Sequence, residues 1–145
     1  KFKMSYIDST GLKKEPIMIH RTLLGAMERF VGTLIEHYQG AFPVWLAPVQ
    51  VIIIPITDKH NSYAKNILKE LKKHDLRTKL DDRNQTVSAK IRDAEKEKIP
   101  AILVVGDKEI KKKTINVRTR GKKETKELKL NAFLEGIKTD IAKRA

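Results

Sequence analysis

Asn84, Glu109 and Arg118 are the side chains with the most distinctive chemistry. An amide, a carboxylate and a guanidinium present different donor and acceptor patterns, which is what telling one base edge from another requires. Around them stand cations suited to phosphate: Lys90 and Arg92, one turn into a predicted helix, and Arg120, two residues beyond Arg118. Arginine binds oxyanions through two parallel hydrogen bonds. Asp82, Arg83, Asp107 and Lys108 complete the cluster. Base edges are open to such groups when bases are splayed from a single-stranded loop, which favours RNA. The plain alternative is a charged, solvated rim with no ligand.

Other chemistry is poorly provided for. There is no glycine-rich phosphate loop, no nucleophile elbow and no HExxH. The histidines, His20, His37, His60 and His74, are scattered, and lone histidines are more often structural than ligating. Arg29 sits in a helical stretch that is apolar on most sides. It reads either as a snorkelling or salt-bridged arginine, with Glu28 or Glu36 as partner, or as a fixed guanidinium for phosphate.

These side chains need elements to hold them. The central one is Ala47–Asp58, APVQVIIIPITD. Its β-branched run, apolar on both faces, predicts a strand sandwiched between helices in a parallel sheet. Pro55 marks the strand's end or a bulge, and Asp58 stands at the N-cap of the next helix. Downstream the sequence reads helix 59–74, strand 76–80, helix 86–98, strand 100–105, a charged turn 106–113, strands 114–119 and 125–130, and a helix capped by Asn131. Along 114–119, Ile115 and Val117 take one face, Asn116 and Arg118 the other. Strands alternating with helices predict parallel pairing with right-handed crossovers, here with an antiparallel edge. In such sheets ligands bind at the carboxyl ends of the strands, where the polar cluster falls.

The first third differs. Residues 1–7, with Phe2, Met4 and Tyr6 on one side, and 16–21 predict a hairpin. Leu23–Tyr38 predicts a helix with a wide apolar stripe. This segment cannot bury its own surface and reads as the end of a larger domain. The expected division is 1–46 and 47–145.

Composition sets the class. The chain has 145 residues, enough for one domain with a core, and a formal net charge of +13. The charge points to a polyanion, nucleic acid first, with a solubilising lysine coat as the alternative. Cysteine is absent, so disulfides and thiolate metal sites are excluded. No apolar run is long enough to cross a bilayer and no signal-peptide pattern is present, so the expectation is a soluble, cytoplasmic protein. The first residue is Lys1 rather than Met, so a cut-down or processed chain is expected.

With these residues in view, the sequence resembles the threonyl-tRNA synthetase family over essentially its whole length. The most specific run is IMIHRTLLGAMERFVGTLIEHYQGAFPVWLAPVQV, residues 17–51. It resembles the third class II synthetase signature in its threonyl form, followed by the linker into an anticodon-binding domain. DDRN (81–84), KIR (90–92), VVGDKE (104–109) and NVRTR (116–120) match that domain in order.

The resemblance implies an α/β anticodon-binding domain with a central, mixed but mostly parallel five-stranded sheet flanked by helices. A partial catalytic-core segment, hairpin plus helix, precedes it. It implies that Asn84, Arg92, Glu109 and Arg118 contact anticodon bases of tRNA(Thr), with Lys90 and Arg120 serving the RNA backbone. Thr86 stands where some relatives carry a lysine, which would remove one basic contact. Threonine anticodons share their second and third bases, so those are the ones to be read. Arg29 resembles the signature arginine that contacts ATP phosphate, and His20 resembles one of three zinc ligands that select threonine. The other two ligands and the first two signatures have no counterpart in this sequence. ATP and zinc are therefore expected for the full-length ligase and none for this chain alone, and homodimerisation is expected for the full-length family. Two rivals stand beside the ligase reading: a non-catalytic editing or accessory protein that keeps the domain, and a general α/β RNA-binding module.

Overall fold

The computed structural model describes residues 3–122 and 124–144. Phe2, expected on the first strand, lies outside the described residues, as does Lys123 of the predicted turn at 121–123. The chain forms two compact units, one reaching Thr33 and one starting at Leu34.

In the first unit, β1 (Tyr6–Ile7) pairs antiparallel with β2 (Lys13–Lys14). The return strand is thus Lys13–Lys14, not 16–21. The reason is the turn. Asp8 accepts hydrogen bonds from the backbone N–H groups of Thr10 and Leu12 at 2.8 and 3.1 Å, and Gly11 adopts φ +80°. The chain is thereby folded back on itself between Asp8 and Leu12. Lys14 lies 2.6 Å from Asp8, and this pairing holds the Asp8 carboxyl below its ordinary range. Helix α1 (Met27–Tyr38) starts later than predicted, after Gly25 at φ +68°. None of its residues is buried, and Met27, Val31 and Ile35 of its apolar stripe are exposed.

The second unit is built on β3 (Val51–Pro55), every residue of which is buried. A 3₁₀ turn (Asp58–His60) leads into α2 (Asn61–Lys73). Then follow β4 (Thr78–Leu80), α3 (Val87–Lys96) and β5 (Ala101–Val105). After α4 (Asp107–Lys112) come β6 (Ile115–Thr119), β7 (Thr125–Leu128) and α5 (Leu130–Lys143). The sheet order is β4-β3-β5-β6-β7. β4, β3 and β5 are parallel, and β6 and β7 add the antiparallel edge. Pro55, opposite Val105, is the last paired residue of its strand, as its missing N–H requires.

Three local expectations are corrected. The charged stretch 106–113 is not a turn but the helix α4, whose N-cap Gly106 gives its N–H to the Glu109 side chain. Asn131 lies inside α5, whose N-cap is Lys129. Asp58 is the first residue of the 3₁₀ turn, and Thr57 is its N-cap.

The two sheet faces have different covers. On one, Val51, Ile53, Leu103, Val105, Ile115 and Val117 pack with α2 and α5 residues such as Leu71, Phe133 and Ile137. On the other, Ile52, Ile54 and Ile102 pack with Ala94, Ile99 and the half-buried Val87 and Ile91 of the α3 region. Each fully buried Ile or Leu contributes about 1.5–3 kcal/mol. The second core draws its strand residues from β3 and β5. The α3-side face of β6 and β7 is therefore left open.

The segment just before β3 is fastened to the sheet. Arg77 donates to Ala47 O and Trp45 O at 2.8 and 2.7 Å, and Gln50 donates to Val44 O at 2.9 Å.

Candidate nucleic-acid interface

The open face of β6 is where the predicted readers begin. Asn116 and Arg118 alternate with the buried Ile115 and Val117, so both point to the α3 side. Across the ladder they sit opposite Glu127 and Thr125 of β7. Glu127 accepts from Lys112 Nζ at 2.9 Å and Thr114 Oγ1 at 2.8 Å, and these bonds pull its carboxyl below the ordinary range. On α3, Ser88, Arg92 and Glu95 follow the i, i+4, i+7 spacing and are all exposed. Glu95 Oε1 lies 3.0 Å from Arg118 Nε, which identifies this stripe as the one facing β6. Arg92 and Glu95 thus stand on the edge of α3 beside the strand face that carries Asn116 and Arg118. Arg118, Glu95 and Arg120 also line a cleft of about 240 Å³.

Glu109 and Asn84 stand at the carboxyl edge of the parallel strands. Glu109 Oε2 accepts the Gly106 N–H at 2.9 Å and so caps α4. Burial first, and then the Glu109 charge, push the Tyr63 phenol above its ordinary value. Asn84 is exposed and lines a second cleft of about 240 Å³ with Ile56, Asp58, Arg83 and Lys90. Ile56 also touches the space beside Gly106, where an added Cβ would come within 2.5 Å of its Cδ1 and 3.2 Å of Glu109 Oε2. Asn84 and Glu109 therefore flank one residue. Arg118, opposite Ile102, lies toward the other end of the strands. The four readers do not meet at a point. Asn84 and Arg92, with the Glu95 partner of Arg118, follow α3, whose 10 residues span about 15 Å, while Glu109 stands at the carboxyl edge beside Gly106 and Tyr63.

Two predicted backbone contacts have other surroundings in the fold than a free surface. Lys90 is buried rather than standing on an open phosphate track, with the buried Asp81 carboxylate close enough to feel its charge. Arg120 is occupied by the fold. Its Nη1 donates to Lys98 O at 2.7 Å, and its Nη2 to Ala41 O and Phe42 O at 3.1 and 2.8 Å. Burial pushes its pKa down. Lys98 in turn donates to Gln39 O.

The family model described as Anticodon binding domain matches residues 50–140, well over half the chain. The chain belongs to the anticodon-binding domain family. It is 45% identical over its whole length to a threonine–tRNA ligase of Caldanaerobacter subterraneus subsp. tengcongensis. It is 49% identical over 97% of its length to that of Aquifex aeolicus. A threonine–tRNA ligase catalytic subunit of Saccharolobus islandicus matches at 43% over 99% of the chain. The chain spans only 22–26% of the length of these relatives. Among solved structures, the RNA binding domain of threonyl-tRNA synthetase from Cryptosporidium parvum Iowa II superposes with a TM-score of 0.75. That match has 30% identity and covers 88% of this chain and 32% of that one. A prolyl-tRNA synthetase of Cryptosporidium parvum shares the fold at TM-score 0.67 and 23% identity, over 97% of this chain and 30% of that one.

The anticodon-binding fold gives a place to residues that sequence reasoning does not single out as site members. Asn116 shares the open face with Arg118, and the period-two alternation already carries that signal. Glu95 has no such signal, because its role depends on which helix edge faces β6. His60 is buried, accepting the Thr57 N–H at Nδ1 and contacting Asp107 through Nε2 at 3.1 Å. It ties the loop after β3 to the start of α4. Outside the matched region, Arg29 is exposed on α1 and makes no ion pair among the described residues, so the salt-bridged alternative is not realised. His20 Nε2 lies 2.8 Å from Met18 Sδ. One imidazole beside a thioether does not make a zinc site, which needs at least three protein ligands, and no such group occurs among the described residues. No described helix is long and apolar enough to cross a membrane.

Proposed function

We propose that this chain reads the anticodon of tRNA(Thr) as part of a threonine–tRNA ligase. The observation that carries the reading is the surface formed by the exposed edge of α3 and the open face of β6. It brings Arg92 and Arg118 to one surface, with Asn84 and Glu109 at its carboxyl-edge end. A guanidinium, an amide and a carboxylate there can distinguish base edges. Affinity comes from the basic surplus of +13, through phosphate contacts. The exposed Lys108, Lys111, Lys112 and Lys113 around α4 suit that task better than the buried Lys90 and the engaged Arg120.

Activation of threonine with ATP and its transfer to tRNA are the work of the full-length ligase. There Arg29 would contact ATP phosphate. His20 would supply one zinc ligand, with the others coming from elsewhere in the ligase, and the homodimer would form through the catalytic core. A part in tRNA charging assigns the protein to the cytoplasm. The high identity to proteins named ligase and ligase catalytic subunit supports this reading over an accessory protein.

Titration with a threonine tRNA transcript and with one altered at the second and third anticodon bases tests the reading. Tighter binding of the first by at least about tenfold is expected, since each mismatched base contact costs about 1–3 kcal/mol. Equal affinities would leave a general RNA-binding module.

A further inference from the structure

We propose that the cleft beside Lys90 is a pocket for one RNA base, and that the Lys90 ammonium donates to a carbonyl oxygen on that base's edge. The inference rests on the anticodon reading above. Lys90 is only 5% exposed. It makes no hydrogen bond and no ion pair among the described residues, and the nearby Asp81 has both carboxylate oxygens on Arg83. Asn61 Oδ1 is the one wholly enclosed side-chain polar atom without a partner among the described residues. The Lys90 ammonium, equally without a partner, is therefore not sealed in: its stem is buried and its tip is open. The opening is the cleft of about 240 Å³ that Lys90 lines with Pro55, Ile56, Thr57, Asp58 and Asn84. A buried cation with unfilled donors is costly to a fold, and a ligand oxygen in the cleft would fill one of them.

The neighbours of Lys90 select a base over a phosphate. Ile56 is 46% exposed, and after α1 no other large apolar side chain among the described residues is exposed. A lone exposed isoleucine is ordinary. This one shares a cleft with an unfilled donor, and a flat ring laid on it buries apolar area that a phosphate does not have. Asp58 is exposed and makes no ion pair among the described residues. Its carboxylate repels a phosphate but accepts from a ring N–H or an amino group. The other cation of the cleft, Arg83, is committed to Asp81 and Asp93. An ammonium only donates, so Lys90 favours guanine and uracil, which carry a keto oxygen where adenine and cytosine carry an amino group. The two shared bases of threonine anticodons, guanine and uracil, both offer that oxygen.

The test compares the wild-type chain, Lys90→Met and Ile56→Ser at two salt concentrations. The probes are the threonine transcript and two single replacements in it, adenine for the shared guanine and cytosine for the shared uracil. Wild type is expected to lose about tenfold or more on one replacement, the worth of a hydrogen bond from a charged donor. Lys90→Met should bind the threonine transcript about tenfold more weakly than wild type and be indifferent, within about twofold, to that same replacement. Ile56→Ser should weaken all three transcripts about three- to tenfold at the wild-type salt slope, since it removes apolar contact and no charge. A Lys90→Met that discriminates as wild type does at both positions overturns this inference alone. So does an equal loss on every transcript with a salt slope lower by about one, which would make Lys90 a phosphate contact. Methionine keeps the buried stem and drops the charge; should Lys90→Met nonetheless fail to fold, Ile56→Ser decides, and an unchanged affinity there overturns the pocket. A wild type indifferent to both replacements overturns the anticodon reading and takes this inference with it.

Discussion

The Arg83 guanidinium grips the Asp81 carboxylate at both oxygens, Nε to Oδ1 at 2.8 Å and Nη2 to Oδ2 at 2.7 Å. The same Nη2 reaches Asp93 on α3 at 3.1 Å. Asp81 is buried, and its N–H donates to Ile53 O at 2.9 Å. Arg83 thus ties the end of β4 to α3, while the Asp81 N–H ties it to the central strand, and Asn84 is the next residue along. Asp81 and Arg83, neither of them a proposed reader, set the loop from which Asn84 projects.

Arg83→Ala should cost about 1–3 kcal/mol in urea unfolding near neutral pH, because it strips a buried carboxylate of its partner. The pH dependence follows from the sign of the shift. Hydrogen bonding to Arg83 holds Asp81 below its ordinary 3.8. The pair's contribution is then fully present above that value and is lost as pH falls through the lower folded value. The gap between wild type and Arg83→Ala should shrink when unfolding is measured below pH 3.8. A gap of the same size under both conditions would remove the ion pair as its source.

Arg120→Ala should behave as a stability variant rather than an RNA variant. Three carbonyls, Lys98 O, Ala41 O and Phe42 O, lose their donor, at a cost of about 1–3 kcal/mol. Arg120→Lys should recover only part of this, since an ammonium cannot fork to carbonyls on two segments. The salt dependence of RNA binding is expected to stay at the wild-type slope. A phosphate contact would lower that slope by about one, and such a drop would return Arg120 to the RNA interface.

The parallel part of the sheet is legible in the sequence because β3 and β5 are continuous β-branched runs, a pattern that holds without knowing any neighbour. The resemblance over residues 17–51 and the later short runs supplies the family. What stays hidden depends on tertiary context. The stretch 106–113 is rich in lysine and has no apolar period, so α4 emerges only with Glu109 capping Gly106. Lysine and arginine are usually exposed, which puts Lys90 and Arg120 outside by expectation. Nothing in the order of residues shows that Lys90 turns inward beside Asp81, or that Arg120 meets three carbonyls of distant segments. Glu95 reads as one more solvated charge until the register of β6 brings Arg118 under it.

Glu109 has two tasks, and its substitutions should separate them. Glu109→Ala orphans the Gly106 N–H and should lower stability by about 0.5–2 kcal/mol, the usual worth of a cap. Glu109→Gln keeps an oxygen for that N–H and should melt close to wild type, while losing the carboxylate that would accept from a base. Its discrimination between the two transcripts should fall. If Glu109→Gln discriminates as well as wild type, the residue serves α4 alone.

Arg118→Ala should show the opposite balance. Its pairing with Glu95 is open to solvent, so unfolding free energy should change by no more than about 0.5 kcal/mol. Binding of the threonine transcript should weaken by about 1–3 kcal/mol, with little change for the anticodon-altered one. That difference is the signature of a base contact, because phosphates are present in both RNAs. Arg92→Ala, on the α3 edge beside that strand face, should lose selectivity in the same direction. Should affinity for both transcripts fall equally in Arg118→Ala, with a salt slope lower by about one, the guanidinium holds phosphate and the reading of the base falls to Asn84 and Glu109 at the carboxyl edge of the strands.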